Sequence, residues 1–155
     1  MYKNNIGDDI LSELNKGILE DKIQKIVAGA VIRRKDGSIL LLERNLLEFK
    51  GGLIELPSGG VKIGETIIDC LIREVKEETS LDVSEIKKYL GSFDYQSSSG
   101  RATRQFNFAV SVNPGDVKIN PSEHSKFYTV NPTDEDWKKL NISPNTREII
   151  EKLFK

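Results

Sequence analysis

The sequence predicts an α+β fold in which a mixed β-sheet lies between helices. Three observations favour this class. Segments rich in β-branched residues dominate the middle of the 155-residue chain, one amphipathic helix interrupts them, and further helical segments lie near both ends. No linker rich in proline, glycine or serine divides the chain, so we expect residues 1–155 to form a single domain.

Helical periodicity predicts two longer helices and two shorter ones. Apolar residues recur at helical spacing in residues 8–20, and the second helix runs from about residue 66 to residue 79. Thr133 and Asn145 are the expected N-caps of two helices that follow near the C-terminus. We expect the first helix, within an extension of residues 1–22, either to cap the sheet or to form a homodimer contact.

The predicted strands alternate with turns rich in glycine, serine and proline. The segments IVAGAVIRR and SILLLER flank a Lys-Asp-Gly turn, which is typical of a β-hairpin. A second hairpin is expected where IKKYLGSFDYQ and ATRQFNFAVSV flank SSSG. Shorter strands are predicted in LIELP, around residues 117–119, and in KFYTV.

Composition excludes several classes of protein. The formal net charge of −1 creates no general field that would attract nucleic acid or an anionic membrane. Cys70 is the only cysteine, which rules out an intramolecular disulfide and fits a reducing cytosol. The polar N-terminus lacks the apolar region of a signal peptide, and no apolar run reaches membrane-spanning length. We therefore expect a cytoplasmic protein that binds neither nucleic acid nor membrane.

The second predicted helix carries an unusual cluster of acidic residues. Glu74, Glu77 and Glu78 lie at positions i, i+3 and i+4, so their carboxylates should converge on one helix surface. Like charges at this spacing repel, and only Arg73 is placed to relieve them, by pairing with Glu77. Such a cluster suits a hard dication, which prefers oxygen ligands. The alternative is a solvated helix face, which is the commoner fate of acidic clusters.

A glycine-rich loop precedes the same helix. Gly59 and Gly60 allow the backbone to approach a ligand closely and expose a carbonyl that can reach a metal ion. Gly64 permits the turn that leads into the helix N-terminus. Exposed backbone groups of a glycine loop, a helix N-terminus and a metal ion can together bind a pyrophosphate group.

Residues 59–81 resemble the signature of the Nudix hydrolases. That signature is a glycine, five residues, a glutamate, seven residues, and then Arg-Glu-apolar-x-Glu-Glu-x-Gly-apolar. The matching positions are Gly59, Glu65, Arg73, Glu74, Val75, Glu77, Glu78 and Leu81. Ser80 departs from the pattern, because glycine is usual at this left-handed position after the helix. The resemblance implies a Nudix-type α/β/α sandwich, and we expect Ser80 to cost stability on the order of 1 kcal/mol without changing the chemistry.

The resemblance also implies roles for residues of the signature. Glu74, Glu77 and Glu78 would bind Mg²⁺ or Mn²⁺ with help from the Gly59 carbonyl. Arg73 would orient these glutamates by ion pairing, and the alternative is an ordinary surface ion pair. Glu65 would brace the loop, or simply place a negative charge near the helix start.

Residues outside the signature complete the predicted site. Glu77 or Glu78 is the favoured general base, with Glu123 as an accessory candidate that could equally be a plain loop carboxylate. His124, the only histidine, is expected to be solvated and is given no role. Arg44 is expected near the phosphate groups of the substrate, although a strand-end arginine is often merely exposed. Glu55 could face the substrate or simply alternate outward, and Gly60 is expected among the residues that bind the substrate. Of the aromatic residues on the second hairpin, one face could stack a base, and core packing is the default for most of them.

By this resemblance the protein would be a pyrophosphohydrolase that uses Mg²⁺ or Mn²⁺ to cleave a nucleoside diphosphate linked to another moiety, X. The moiety X stays open between a (deoxy)nucleoside triphosphate and a nucleotide sugar, and ELPSGG is reminiscent of members acting on ADP-ribose. Two alternatives belong to other classes. One is a catalytically silent domain that senses nucleotides, and the other is an interaction protein whose acidic helix faces a basic partner.

Overall fold

The computed structural model describes residues 1–154 as two β-sheets and three α-helices. The helices are α1 (Asp8–Glu20), α2 (Ile67–Thr79) and α3 (Pro144–Lys152), and a short 3₁₀ helix spans Glu135–Lys139. The strands are β1 (Lys3–Asn4), β2 (Lys25–Ile32), β3 (Ile39–Arg44), β4 (Ile54–Glu55), β5 (Ser58–Gly60), β6 (Val83–Gln96), β7 (Ala102–Val112) and β8 (His124–Val130).

The larger sheet has five strands in the order β1-β6-β7-β2-β5 and is mixed, as predicted. Strand β2 runs parallel to β7, and β1 runs parallel to β6, whereas the β6–β7 and β2–β5 pairs are antiparallel. The β6–β7 hairpin predicted from the sequence is confirmed. A second sheet of three antiparallel strands has the order β4-β3-β8.

One hydrophobic cluster lies between the five-stranded sheet and the first two helices. Ile67, Leu71 and Val75 recur every four residues along α2, and all three are buried against the sheet. From α1, three half-buried side chains pack against the same cluster: Leu11, Leu14 and Ile18. Helix α1 therefore caps the sheet, which is one of the two roles expected for it.

A second cluster joins the two sheets to α3. Val31 of β2 and Ala109 of β7 contribute to it from the five-stranded sheet, and Leu41 contributes from β3. Trp137 of the 3₁₀ helix and Ile150 of α3 complete it from the C-terminal part of the chain. The mixed sheet is therefore covered on both faces, as the predicted sandwich requires.

The predicted hairpin between β2 and β3 is wrong. The turn itself forms, with the Arg34 amide donating to the Ser38 carbonyl at 2.7 Å and Gly37 at a φ of +89°. Only an isolated bridge between Arg33 and Ile39 follows, and the two strands then join different sheets. Strand β2 is buried and finds its partners in β7 and β5, which a local turn signal cannot reveal.

Three smaller predictions are also corrected. The segment after Thr133 forms only a 3₁₀ helix, which follows Asp134. Helix α3 begins at Pro144, because Ser143 rather than Asn145 accepts the capping hydrogen bond, from the Thr146 amide at 3.2 Å. Residues 117–119 do not form a strand.

Helix α2 has well-defined ends. Its N-cap is Thr66, whose hydroxyl oxygen accepts a hydrogen bond from the Asp69 amide at 3.0 Å. Its C-cap is Ser80, which adopts the predicted left-handed conformation with a φ of 67°. The Ser80 hydroxyl donates to the Lys118 carbonyl at 3.0 Å, and the Lys118 amide donates to the Thr79 carbonyl at 2.9 Å. The loop around Lys118 is thus fastened to the helix end.

Within residues 1–154, no helix combines the length and the apolar character needed to cross a lipid bilayer.

We predict that Ser80→Ala and Ser80→Gly will differ in stability. Alanine keeps the left-handed strain and loses the hydroxyl hydrogen bond, whereas glycine loses the bond but relieves the strain. The free energy of unfolding, measured in urea, should be about 1 kcal/mol higher for the glycine variant than for the alanine variant. Equal free energies of unfolding for the two variants would show that the left-handed backbone at this position does not destabilise the protein.

Candidate active site

Helix α2 packs its acidic face against strand β5, and a glycine makes this close approach possible. A Cβ atom at Gly59 would overlap the Glu74 carboxylate, so only glycine leaves room for that side chain against the strand. The buried Cys70 thiol of the same helix donates to the Gly59 carbonyl at 3.3 Å. Burial raises the pKa of Cys70 to about 12, so this side chain stays a neutral thiol.

Arg73 connects the helix to the preceding loop through every donor of its side chain. Its Nε and Nη2 atoms donate to the two carboxylate oxygens of Glu65, at 2.7 and 2.8 Å. Nη2 also donates to the Gly60 carbonyl at 3.0 Å, and Nη1 donates to Glu74 at 2.6 Å and to Glu77 at 3.2 Å. The bidentate bond to Arg73 lowers the pKa of Glu65 to about 2. Through these bonds Arg73 joins Glu65 and the Gly60 carbonyl of the loop to Glu74 and Glu77 of the helix.

The acidic face of α2 is not a solvated surface. The side chains of Glu74 and Glu78 are 12% and 6% exposed, and only Glu77, at 51%, is substantially in contact with solvent. Burial raises the pKa of Glu74, and burial raises the pKa of Glu78 to about 9. The Ser58 amide donates to Glu78 at 2.7 Å, but no lysine or arginine of residues 1–154 pairs with this carboxylate. Glu78 is therefore an ionisable group buried where a positive charge would stabilise it.

The predicted convergence of Glu74, Glu77 and Glu78 needs a correction. In the described part of the chain these three do not form one group of close ligand atoms, because Arg73 draws Glu74 and Glu77 toward itself. Glu78 instead lies with Glu123 and His124, and one ligand atom from each falls within 4.8 Å of the others. Arg73 therefore holds Glu74 and Glu77, whereas Glu78 lies near a second carboxylate, and burial, aided by the negative charge of Glu123, raises the pKa of Glu78.

His124 is buried, and the expectation that it would be solvated is wrong. Its exposure is 1%, since it opens β8 and pairs in register with Arg44 of β3. Its Nε2 atom lies 3.0 Å from Oε2 of Glu55, and Nη1 of Arg44 donates to the same oxygen at 3.1 Å. A histidine beside a loop glutamate gives no local signal of burial; only the β3–β8 register places it here.

A cavity of about 330 Å³ opens beside Gly59 and Gly60. All three residues predicted to contact the substrate line it, namely Arg44, Glu55 and Gly60. Two lysines, Lys25 and Lys50, also line it and supply positive charge. The cavity thus joins the glycine loop of β5 to a mixed lining of three cationic side chains and two carboxylates, Glu48 and Glu55.

Aromatic side chains form another wall of this cavity. Phe93 and Tyr95 of β6 lie with their ring centroids 6.0 Å apart, and burial raises the pKa of Tyr95 to about 12. Nζ of Lys50 lies 5.7 Å from the centre of the Tyr95 ring. Phe106 and Phe108, on the neighbouring strand, are core residues as expected. Of the two faces of the β6–β7 hairpin, only the one with Phe93 and Tyr95 therefore offers aromatic rings to the cavity.

Two buried amides near the cavity were not found from the sequence. Gln105 lines the cavity, and its Nε2 atom donates to Oδ1 of Asn107 at 2.8 Å. Asn107 in turn donates to the Gly91 carbonyl at 3.1 Å. A Cβ at Gly29 would lie 2.6 Å from Nε2 of Gln105, so this glycine makes room for the pair. The alternation of Gln105 and Asn107 with Phe106 and Phe108 was the signal that these polar residues face away from the core cluster.

We predict that Gly59→Ala will lower the melting temperature and Gly60→Ala will not. At position 59 the methyl group would displace the Glu74 carboxylate, at a cost of about 1–3 kcal/mol for overpacking. At position 60 it would make only ordinary van der Waals contacts, with the flexible Lys25 side chain at 3.4 Å and the Ile26 carbonyl at 4.0 Å. Calorimetry of the two purified variants measures the difference, and equal melting temperatures would contradict the close packing of Glu74 on β5.

Comparison with known proteins identifies a matching domain family. The sequence model of the NUDIX domain matches residues 24–153. An ADP-ribose pyrophosphatase of Methanocaldococcus jannaschii is 35% identical over 105 residues, which cover 64% of this chain and 59% of that protein. An NAD-capped RNA hydrolase of Vibrio atlanticus is 44% identical over 59 residues, covering 38% of this chain and 21% of that protein. The chain thus matches less than two thirds of the length of either relative.

A solved structure extends the comparison to the fold. The MutT protein of Methanosarcina mazei Go1 superposes with a TM-score of 0.71 at 25% identity, covering 84% of this chain and 92% of that one.

Proposed function

The chain belongs to the Nudix family, and from this membership we propose that it is a divalent-metal-dependent pyrophosphohydrolase acting on a nucleoside diphosphate linked to another moiety, X. The observation that carries the proposal is the buried Glu78 carboxylate, which lies beside Glu123 and next to the glycine loop of β5. The proposal treats residues 1–155 as one cytoplasmic domain with residues 1–22 as an extension. The packing of α1 on the core cluster and the free Cys70 thiol support it.

The donor set suits a hard dication. Glu74 and Glu78 are buried carboxylates whose pKa values are raised by burial, and the Glu74 carboxylate lies against the backbone of Gly59, where a Cβ atom would overlap it. Glu78 would hold Mg²⁺ or Mn²⁺, which prefer oxygen ligands, and Glu74 and Glu77 would join it by exchanging their bonds with Arg73 for bonds to the ion. When bound, such an ion would lower the pKa of a bound water molecule and neutralise charge on the phosphate oxygens.

The proton of the attacking water must pass to a carboxylate of the chain. Glu77 is the weakest candidate on this geometry, because Arg73 already donates to it. Glu78 and Glu123 remain, and Glu123 is the more exposed of the two. We propose that one of these two carboxylates accepts the proton.

The remaining cationic groups would hold the substrate. Arg44 has guanidinium donors beyond the two that bond to Glu55 and to the Phe49 carbonyl, and these can bind phosphate oxygens. Arg73 is not available for this purpose, because all of its donors are engaged within the protein. Arg73 is therefore a positioning residue, and Arg44 is the proposed phosphate-binding residue.

The aromatic wall would hold the base of the nucleotide. Tyr95 and Phe93 line the same cavity as the glycine loop, so a base stacked on Tyr95 could carry its phosphates toward β5. The match to an ADP-ribose pyrophosphatase supports an ADP-linked nucleotide sugar as the first substrate to test. Nucleoside triphosphates and other nucleotide sugars belong in the same panel.

We predict that Glu78→Gln will abolish most of the hydrolysis. Product chromatography of a nucleotide panel with Mg²⁺ should identify a substrate, and kcat should fall by at least about 100-fold in the variant, or roughly 2.7 kcal/mol. Glu13→Gln, which alters an exposed glutamate on α1, is the matched control and should keep full activity. Hydrolysis at the wild-type rate in Glu78→Gln would remove the proposed mechanism. Nucleotide binding without hydrolysis in the wild-type protein would favour the silent sensor.

We predict that Tyr95→Ala will raise KM about 10-fold and leave kcat within about 2-fold. The ring is expected to bind the base equally in the ground state and the transition state, and stacking on a base contributes about 1–3 kcal/mol. Phe127→Ala, at an exposed aromatic residue that does not line the cavity, is the control. An unchanged KM in Tyr95→Ala would place the base elsewhere.

A further inference from the structure

The imidazole of His124 has one nitrogen that the fold leaves unused. The side chain is 1% exposed, and Nδ1 has no hydrogen-bond partner within residues 1–154. A buried polar atom without a partner costs about 1–3 kcal/mol, so most such atoms in proteins are paired. Neither the signature of residues 59–81 nor the proposed hydrolysis accounts for this nitrogen.

The other ring nitrogen is held in a defined state. Nε2 lies 3.0 Å from Oε2 of Glu55, and a carboxylate can only accept a hydrogen bond, so Nε2 carries a proton. Arg44 bonds to the same oxygen and keeps Glu55 in place. Nδ1 is then the nitrogen left free to act as a donor to a cation. A carboxylate that holds one ring nitrogen is the usual support of a metal-binding histidine.

The free nitrogen faces carboxylates across a gap of the right size. Nδ1 lies 3.9 Å from Oε2 of Glu78, which is too long for a hydrogen bond. Two metal–ligand bonds of about 2.1 Å can span up to about 4.2 Å, so a metal ion fits between these atoms. Glu123 contributes a third ligand atom within 4.8 Å of the other two. A turn holds Glu123 there, because its amide donates to the Asn120 carbonyl at 3.1 Å.

We propose that His124, Glu78 and Glu123 form a mixed nitrogen–oxygen site for a transition-metal dication such as Co²⁺ or Zn²⁺. Imidazole binds these ions in preference to Mg²⁺, which takes oxygen ligands almost exclusively. The site shares Glu78 with the proposed Mg²⁺ ligands and so rests in part on the proposed function. His124 is a nitrogen ligand that the acidic helix does not supply. Because His124 is the first residue of β8, the preference of the site for one metal ion over another would depend on the position of this strand.

The presence of a single histidine makes a direct test possible. The untagged protein is loaded with Co²⁺, and its ¹H NMR spectrum is recorded in H₂O and in D₂O. Coordination through Nδ1 should shift the Nε2 proton of His124 far outside the diamagnetic range, giving one shifted signal that exchanges with solvent deuterons. Because every imidazole signal must come from His124, the assignment needs no variant.

Metal titrations of the variants give a second measurement. His124→Gln should lower the affinity for Co²⁺ at least 10-fold and leave the affinity for Mg²⁺ within about 2-fold. Glu55→Gln should lower the Co²⁺ affinity about 10- to 100-fold, as the loss of a supporting carboxylate does in other sites. Glu13→Gln should leave both affinities unchanged.

The outcomes separate this proposal from the proposed function. Absence of the shifted proton at saturating Co²⁺ overturns the site, and if Mg²⁺-dependent hydrolysis persists, the proposed function stands without it. A shifted proton in a protein without hydrolytic activity supports the site and removes the proposed function. If His124→Gln does not fold, as judged by circular dichroism, the spectrum of the wild-type protein decides alone. Equal Co²⁺ affinities of the folded variant and the wild-type protein also overturn the site.

Discussion

Arg73 holds together the loop and the helix from which the candidate active site is built. Its side chain is 21% exposed, and its guanidinium bonds to Glu65, to Glu74 and to the Gly60 carbonyl. In this partly desolvated position charge-assisted hydrogen bonds are stronger than on an open surface, and the bidentate geometry leaves the side chain little freedom. Glu74 lies against Gly59 because this positive charge holds it there. Without Arg73 the carboxylates of α2 would repel one another toward solvent.

The site also depends on a junction between the two sheets. Strand β5 and helix α2 belong to the layer of the five-stranded sheet, whereas Arg44 and His124 come from the three-stranded sheet. Hydrophobic packing between the sheets therefore sets the distance from Glu78 to His124. A residue of the inter-sheet core can alter the site without touching it, since packed interiors transmit small displacements.

Much of the fold could be predicted because its signals are local. The four-residue spacing of Ile67, Leu71 and Val75 specifies a buried helix face, and the Thr66 cap lies where a threonine precedes that pattern. The prediction of a β2–β3 hairpin is wrong because the Asp-Gly sequence specifies only the turn, whereas the strand partners depend on burial. The helix start at Pro144 was missed because serine and asparagine are similarly good N-caps.

For the candidate site, the spacing of residues was more informative than their exposure. The signature placed Glu74 and Glu78 on one helix face, since residues one turn apart share a face, and it placed Gly59 beside Glu74. It could not reveal that Arg73 would draw Glu74 and Glu77 away from Glu78, which is a competition among charges in three dimensions. Burial of His124 follows from its pairing with Arg44, and a single sequence contains no measure of that long-range register.

The parallel pairing of β2 with β7 has a kinetic consequence. Its register joins Lys25 to Thr103 and Ile32 to Val110, so the centre of the larger sheet closes only after most of the chain has been made. Bringing such distant segments together costs loop-closure entropy before any contact repays it, and chains dominated by distant pairings fold slowly. During synthesis on the ribosome, the edge of β2 that pairs with β7 therefore stays unpaired until β7 has been made. This interval is when the nascent chain is most exposed to aggregation.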